Sequence, residues 1–120
     1  MMNKETIYRV QDKDGRGPWK PGFSHKWVIA RPDHDNLMPW FMEMGPIHLE
    51  ITKGLHWGTG CTSIDQLKRW FTEKEYKTLL KLGYKSVLFK ADRILGKSMT
   101  QCLFERNKPL KDDIAVFELY

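Results

Sequence analysis

Two helix-start signals follow one another between Ser63 and Gly83, and strand-like alternation lies on both sides of them. Ser63 and Gln66 stand at capping-box spacing, where a hydroxyl and a side-chain amide can satisfy backbone N–H groups that have no partner inside a helix. Leu67, Trp70 and Phe71 supply the apolar stripe of a first short helix. Thr72 and Glu75 repeat the signal, Tyr76, Leu79 and Leu80 form the next apolar face, and Gly83 occupies the position where a glycine ends a helix. Helices confined to the middle exclude the strict strand–helix alternation of a doubly wound fold.

The flanks read as strands. Thr6 to Gln11 alternates β-branched or aromatic residues with polar ones, as a strand with one buried face requires. Tyr84 to Ala91, Thr100 to Arg106 and Ile114 to Tyr120 close the chain, with turn signals at Leu95-Gly96 and from Asn107 to Asp113. The expected fold is therefore α+β, a largely antiparallel sheet with two short central helices. Residues 12–22 hold three Gly and two Pro and read as loop, with Trp19 and Phe23 pinning it. Lys26 to Ala30 suggests a short extended piece. Arg31 to Lys53 is too broken by Pro32, Pro39, Gly45 and Pro46 for a long element, although Leu37 to Met44 could hold a helical turn or two and Ile47 to Ile51 a short strand.

At 120 residues with 41% apolar and 12% aromatic side chains, the chain can bury one core and is read as a single domain over residues 1–120. It has no apolar run long enough to span a bilayer and no apolar N-terminal segment of the signal-peptide type, so a cytoplasmic location and no membrane partner are expected. Cys61 and Cys102 are read as buried, inert thiols, with a disulfide the minor alternative. His25, His34, His48 and His56 lack metal-ligand spacing, and no metal is expected.

A net charge of +5 favours anionic partners. The excess is local: Lys68, Arg69, Lys74, Lys77, Lys81, Lys85, Lys90, Arg93 and Lys97 face only Glu73, Glu75 and Asp92 between Gln66 and Lys97. On the second helix Lys74, Lys77 and Lys81 recur at spacings of three and four, a ridge able to track a phosphate backbone. Such a ridge is also what the solvated face of an ordinary surface helix looks like.

Other patterns carry less. Ala91 to Ser98 (ADRILGKS) lacks the first Gly of a phosphate-wrapping loop and reads as a hairpin turn. Gly15-Arg16-Gly17 lacks the third Gly of a dinucleotide fingerprint and reads as loop. A Cys61 nucleophile served by His48 or His56 competes with the plainer reading of a buried small residue.

Three pieces in order carry a resemblance: IYR on the first strand, GTGCTS leading into a helix, and the late LGYKSV and TQCLFER strands. Together the chain resembles ADP-ribosyltransferase-like folds. The resemblance implies NAD or a related nucleotide as cofactor, with Arg9 or Tyr8 on the dinucleotide; as strand neighbours they point to opposite faces. It further implies Thr62 and Ser63 shaping the ribose or nicotinamide pocket, as C-T-S rather than S-T-S, and Gln101 or Glu105 at the reacting carbon. Trp57, Trp19 or Tyr8 would suit a stacked base, although each such aromatic is more often packing. The GRGPW loop and the WF…LGY helices also resemble small phage and prophage proteins, some of which disarm host defence systems. The second reading is thus a non-catalytic inhibitor that binds a host protein or nucleic acid through its basic surface.

Overall fold

The computed structural model describes residues 4–18 and 51–120. The pieces expected within residues 19–50 lie outside the described residues, as do Trp19, Phe23, His25, His34 and His48. In the described part, six strands and two helices run in the order β1 (Glu5–Gln11), β2 (His56–Gly60), α1 (Ile64–Trp70), α2 (Glu73–Lys81), β3 (Lys85–Ala91), β4 (Arg93–Lys97), β5 (Cys102–Arg106) and β6 (Ala115–Phe117). The α+β reading holds, but the strands form two sheets rather than one. Sheet 1 has the order β1-β3-β6 and sheet 2 the order β2-β5-β4, with every pairing antiparallel.

The period-two alternation of β1 builds the layering. Val10 and the partly buried Tyr8 face the helices, joining Cys61, Leu67, Phe71, Tyr76, Leu79, Tyr84 and Leu119 in one core. Ile7 faces the other way and packs with Val87, Phe89, Ala91, Cys102 and Phe104 in a second core between the sheets. Sheet 1 is therefore the middle layer. Phe89 and Phe104 meet across the inter-sheet gap with ring centroids 5.3 Å apart at 60°.

Both helices begin where expected. Ser63 Oγ accepts from the Gln66 backbone N–H at 3.1 Å, but the Gln66 side-chain oxygen reaches back to Thr62 N–H at 2.9 Å, one residue earlier than a capping box would place it. At Thr72 the box is complete, with Thr72 N–H donating to Glu75 Oε1 at 2.9 Å and Glu75 N–H to Thr72 Oγ1 at 3.2 Å. Because Glu75 is fully buried, Thr72→Ala is expected to lower stability by about 1 kcal/mol, read as a shifted midpoint in urea denaturation with an unchanged slope. Gly83, with φ +95°, ends α2 in the left-handed region glycine tolerates best.

Residues 56–60, the Gly-rich segment before Cys61, pair with β5 as strand β2. One expectation is corrected: the chain does not turn at Leu95-Gly96. It changes sheets at Ala91–Asp92, and Asp92 N–H donates to Glu105 O at 3.0 Å. β4 then continues to Lys97 with a register shift between Ile94 and Gly96 that absorbs the glycine as a bulge. The reversal falls at Ser98–Gln101, where Ser98 N–H donates to Gln101 O at 2.8 Å.

Candidate functional site

β1 and β2 touch through a single bridge, Tyr8 with Cys61, whose two backbone hydrogen bonds are each 2.8 Å long. Beyond it the strands diverge, and side chains take over from the ladder. Arg9, pointing away from the helices, donates from Nη1 to Thr59 O at 2.9 Å and from Nη2 to Gly15 O at 3.1 Å. Its guanidinium lies 5.9 Å from the centroid of the Phe104 ring. Gln11, next on the same face, donates from Nε2 to Leu110 O at 2.8 Å. These buried side chains hold two loops from behind, one after β1 and one before β6. Gly58 makes the approach possible, because a Cβ there would fall inside the contact distance of Arg9 Nη1 and within 3.2 Å of Leu110 and Phe104.

The loop after β1 is set by Asp12, whose Oδ1 accepts from the backbone N–H groups of Asp14 and Arg16 at 2.9 Å each. Between this loop, the start of β2 and the 109–111 loop lies an open groove of about 420 Å³, to which Arg16, Leu55, His56, Leu110 and Lys111 contribute. Burial pulls Arg9 down to about 10, against the opposing charge of Asp12, so the guanidinium remains a cation at neutral pH.

The residues expected to hold NAD are distributed over several surfaces. Tyr8 packs edge-on against Phe117 with centroids 5.8 Å apart, on the helix side of sheet 1. Arg9 lies between the sheets. Glu105 stands opposite Trp57 and Arg93 in register, while its neighbour Phe104 lies under Arg9; strand alternation thus places Glu105 on the far face of sheet 2. There the carboxylate accepts from Thr52 N–H and Thr52 Oγ1, both at 2.8 Å, and meets Arg93 Nε at 3.1 Å. Trp57, 42% exposed, shares that register position and also lines the groove. Gln101 is buried in the turn before β5, and Thr62 and Ser63 cap α1. Sheet 2 lies between Arg9 and Glu105, and the structure does not bring these two together.

Burial pushes the thiols of Cys61 and Cys102 up to about 12, and both are free. Cys61 is thus a buried small residue whose thiol stays protonated near neutral pH. Among the described residues no cluster of His, Cys, Asp and Glu could hold a metal ion, and no helix is long and apolar enough to cross a membrane.

The family model of the bacteriophage T4 Y00F protein matches residues 1–115. The chain belongs to that family. No curated protein and no solved structure gave a match. The phage context suggested by the GRGPW loop and the helices is therefore shown, and in this Y00F-family chain the match brings no chemistry with it. On α2, Lys74, Lys77 and Lys81 are all exposed, while Glu75, Tyr76 and Leu79 are buried on the other side of the helix. Glu73 lies 3.5 Å from Lys77, an exposed pair of small energetic weight.

Sequence reading missed Arg16 and Lys111 as groove residues and Gln11 as the brace behind Leu110. Arg16 between two glycines was the one visible signal, whereas Gln11 and Lys111 sit in patterns shared by ordinary strands and turns.

Proposed function

We propose that this phage-encoded protein is a non-catalytic binding protein that engages an anionic host macromolecule through the lysine face of α2, in keeping with action against a host defence system. The observation that carries the reading is the placement of Lys74, Lys77 and Lys81 on one exposed stripe, extended past the helix by exposed Lys85. The alternative, NAD or ADP-ribose binding with group transfer, draws less support from the geometry, because Arg9 and Glu105 are occupied within the fold on opposite faces of sheet 2.

Fluorescence anisotropy with short duplex DNA and with polyglutamate tests the proposal. Reversing Lys74, Lys77 and Lys81 to Glu should abolish binding and leave the unfolding midpoint nearly unchanged. For DNA, neutralising the same three positions should reduce the slope of log affinity against log salt by about 0.9 per lost phosphate contact. Reversal of Lys13, Lys53 and Lys90, exposed elsewhere, imposes the same net charge and should spare most of the affinity. Equal loss in both variants, or no binding to either probe, would refute the α2 surface. An unfolding midpoint raised by NAD or ADP-ribose would favour the dinucleotide reading instead.

A further inference from the structure

Arg9 is 7% exposed, and its partners are two carbonyl oxygens and an aromatic ring. None of these is an anion. Among the described residues its Nε–H has no acceptor, and Gln11 Oε1, two residues along the same face, has no donor. The acid whose charge acts on Arg9 is Asp12, whose carboxylate also accepts from the backbone of Asp14 and Arg16. A desolvated guanidinium whose hydrogen-bond acceptors among the described residues are neutral carbonyls is costly, and an anion brought close to it would recover part of that cost.

The groove opens beside it. Gly15 and Leu110, whose carbonyls Arg9 and Gln11 hold, line its wall, and Arg16 and Lys111 stand on its rim. Neither Arg16 nor Lys111 has an ion pair among the described residues, and Asp14 is the one acid lining the groove among them. A volume of about 420 Å³ exceeds what a lone phosphate fills and leaves Leu55 and Leu110 to cover an organic group.

We propose that this groove binds a phosphomonoester, with Arg16 and Lys111 on the phosphate oxygens and Arg9 contributing its positive field from behind Gly15. Arginine suits such a group by its planar fork, and lysine as a point charge. The site lies apart from the lysine face of α2 in both residues and elements, and the proposal stands independently of that face.

Thermal unfolding and phosphorus NMR titration of the intact protein should be run with glucose 6-phosphate, with inorganic phosphate, and with a short oligonucleotide with or without a 5′ phosphate, against chloride at equal ionic strength. In the variant with Lys74, Lys77 and Lys81 changed to Glu, where the α2 face no longer attracts a strand, glucose 6-phosphate, the phosphorylated oligonucleotide or both should raise the midpoint, whereas chloride and the unphosphorylated strand should not. Response to the sugar phosphate identifies a free small molecule as an admissible source, and response to the oligonucleotide alone identifies a strand end. Joint Arg16→Ala and Lys111→Ala should weaken binding about tenfold or more without moving the ligand-free midpoint, while reversal of Lys74, Lys77 and Lys81 should leave it intact. No response to any phosphomonoester, a response to inorganic phosphate alone, or an undiminished response in the double variant would overturn the proposal.

Discussion

Replacing Phe104 with alanine is expected to destabilise the protein by about 3–5 kcal/mol, the range for deleting a buried aromatic ring. Phe104 is fully buried and stands between the two sheets. One side of its surroundings is the Phe89 ring, 5.3 Å away, and another is the guanidinium of Arg9. Removing the ring opens a cavity between the layers and takes away the surface on which Arg9 rests. Small domains have total stabilities of about 5–15 kcal/mol, so the variant should unfold at a much lower denaturant concentration and lose a large share of its native population at physiological temperature. Urea denaturation followed by fluorescence, with Leu80→Ala as a control, measures this. Leu80 is 44% exposed, and its truncation should cost well under half as much as that of Phe104. Comparable losses in the two variants would show that the inter-sheet core is not the main source of stability.

Arg9→Ala should produce the second large effect, through polar groups more than through packing. It strips the donors from Thr59 O and Gly15 O, the buried Gly15 carbonyl left without this partner costing about 1–3 kcal/mol and the part-buried Thr59 carbonyl less, and frees the loop after β1 from its brace. Arg9→Met separates the contributions. Methionine preserves much of the contact with Phe104 and removes the buried charge, whose desolvation opposes folding, while still leaving both carbonyls without donors. The expected order of stability is therefore native, then Arg9→Met, then Arg9→Ala, measured by urea denaturation. Hydrogen exchange of the amides of residues 14–17 should accelerate in both variants, because the brace on Gly15 is lost in each. An Arg9→Met protein as stable as the native one with unaltered exchange in that loop would show that the guanidinium's hydrogen bonds contribute nothing net.

Much of the fold was legible because its signals are local. The Thr72 and Glu75 pair, the stripe of Tyr76 and Leu79 and the terminal Gly83 lie within one stretch of chain, and α2 follows from them. The alternation of residues 6–11, 84–91 and 100–106 likewise marked β1, β3 and β5 to within a residue or two. By contrast, β2 reads HWGTG, with two glycines and one β-branched residue, a composition that argues against a strand. Its glycines answer to distant neighbours: a Cβ at Gly60 would stand 2.6 Å from Ile7 Cγ2, and one at Gly58 would strike Arg9. β4 was hidden in the same way, since its glycine is absorbed in a bulge that only the pairing with β5 defines.

The candidate site divides along the same line. The lysine face of α2 was visible from spacing alone, because one helix carries all of it. Tyr8 and Arg9 were correctly placed on opposite faces of β1 by alternation, yet nothing local could say that Arg9 meets Thr59, fifty residues away, or that Glu105 turns from it across sheet 2. Sequence by itself determined the helices, the principal strands and the charged helix face, since caps and periodicity act over a few residues. Tertiary structure alone decided the division into two sheets, the strand made from a Gly-rich segment and the groove braced by Arg9 and Gln11, because each depends on contacts between segments that chain order does not bring together.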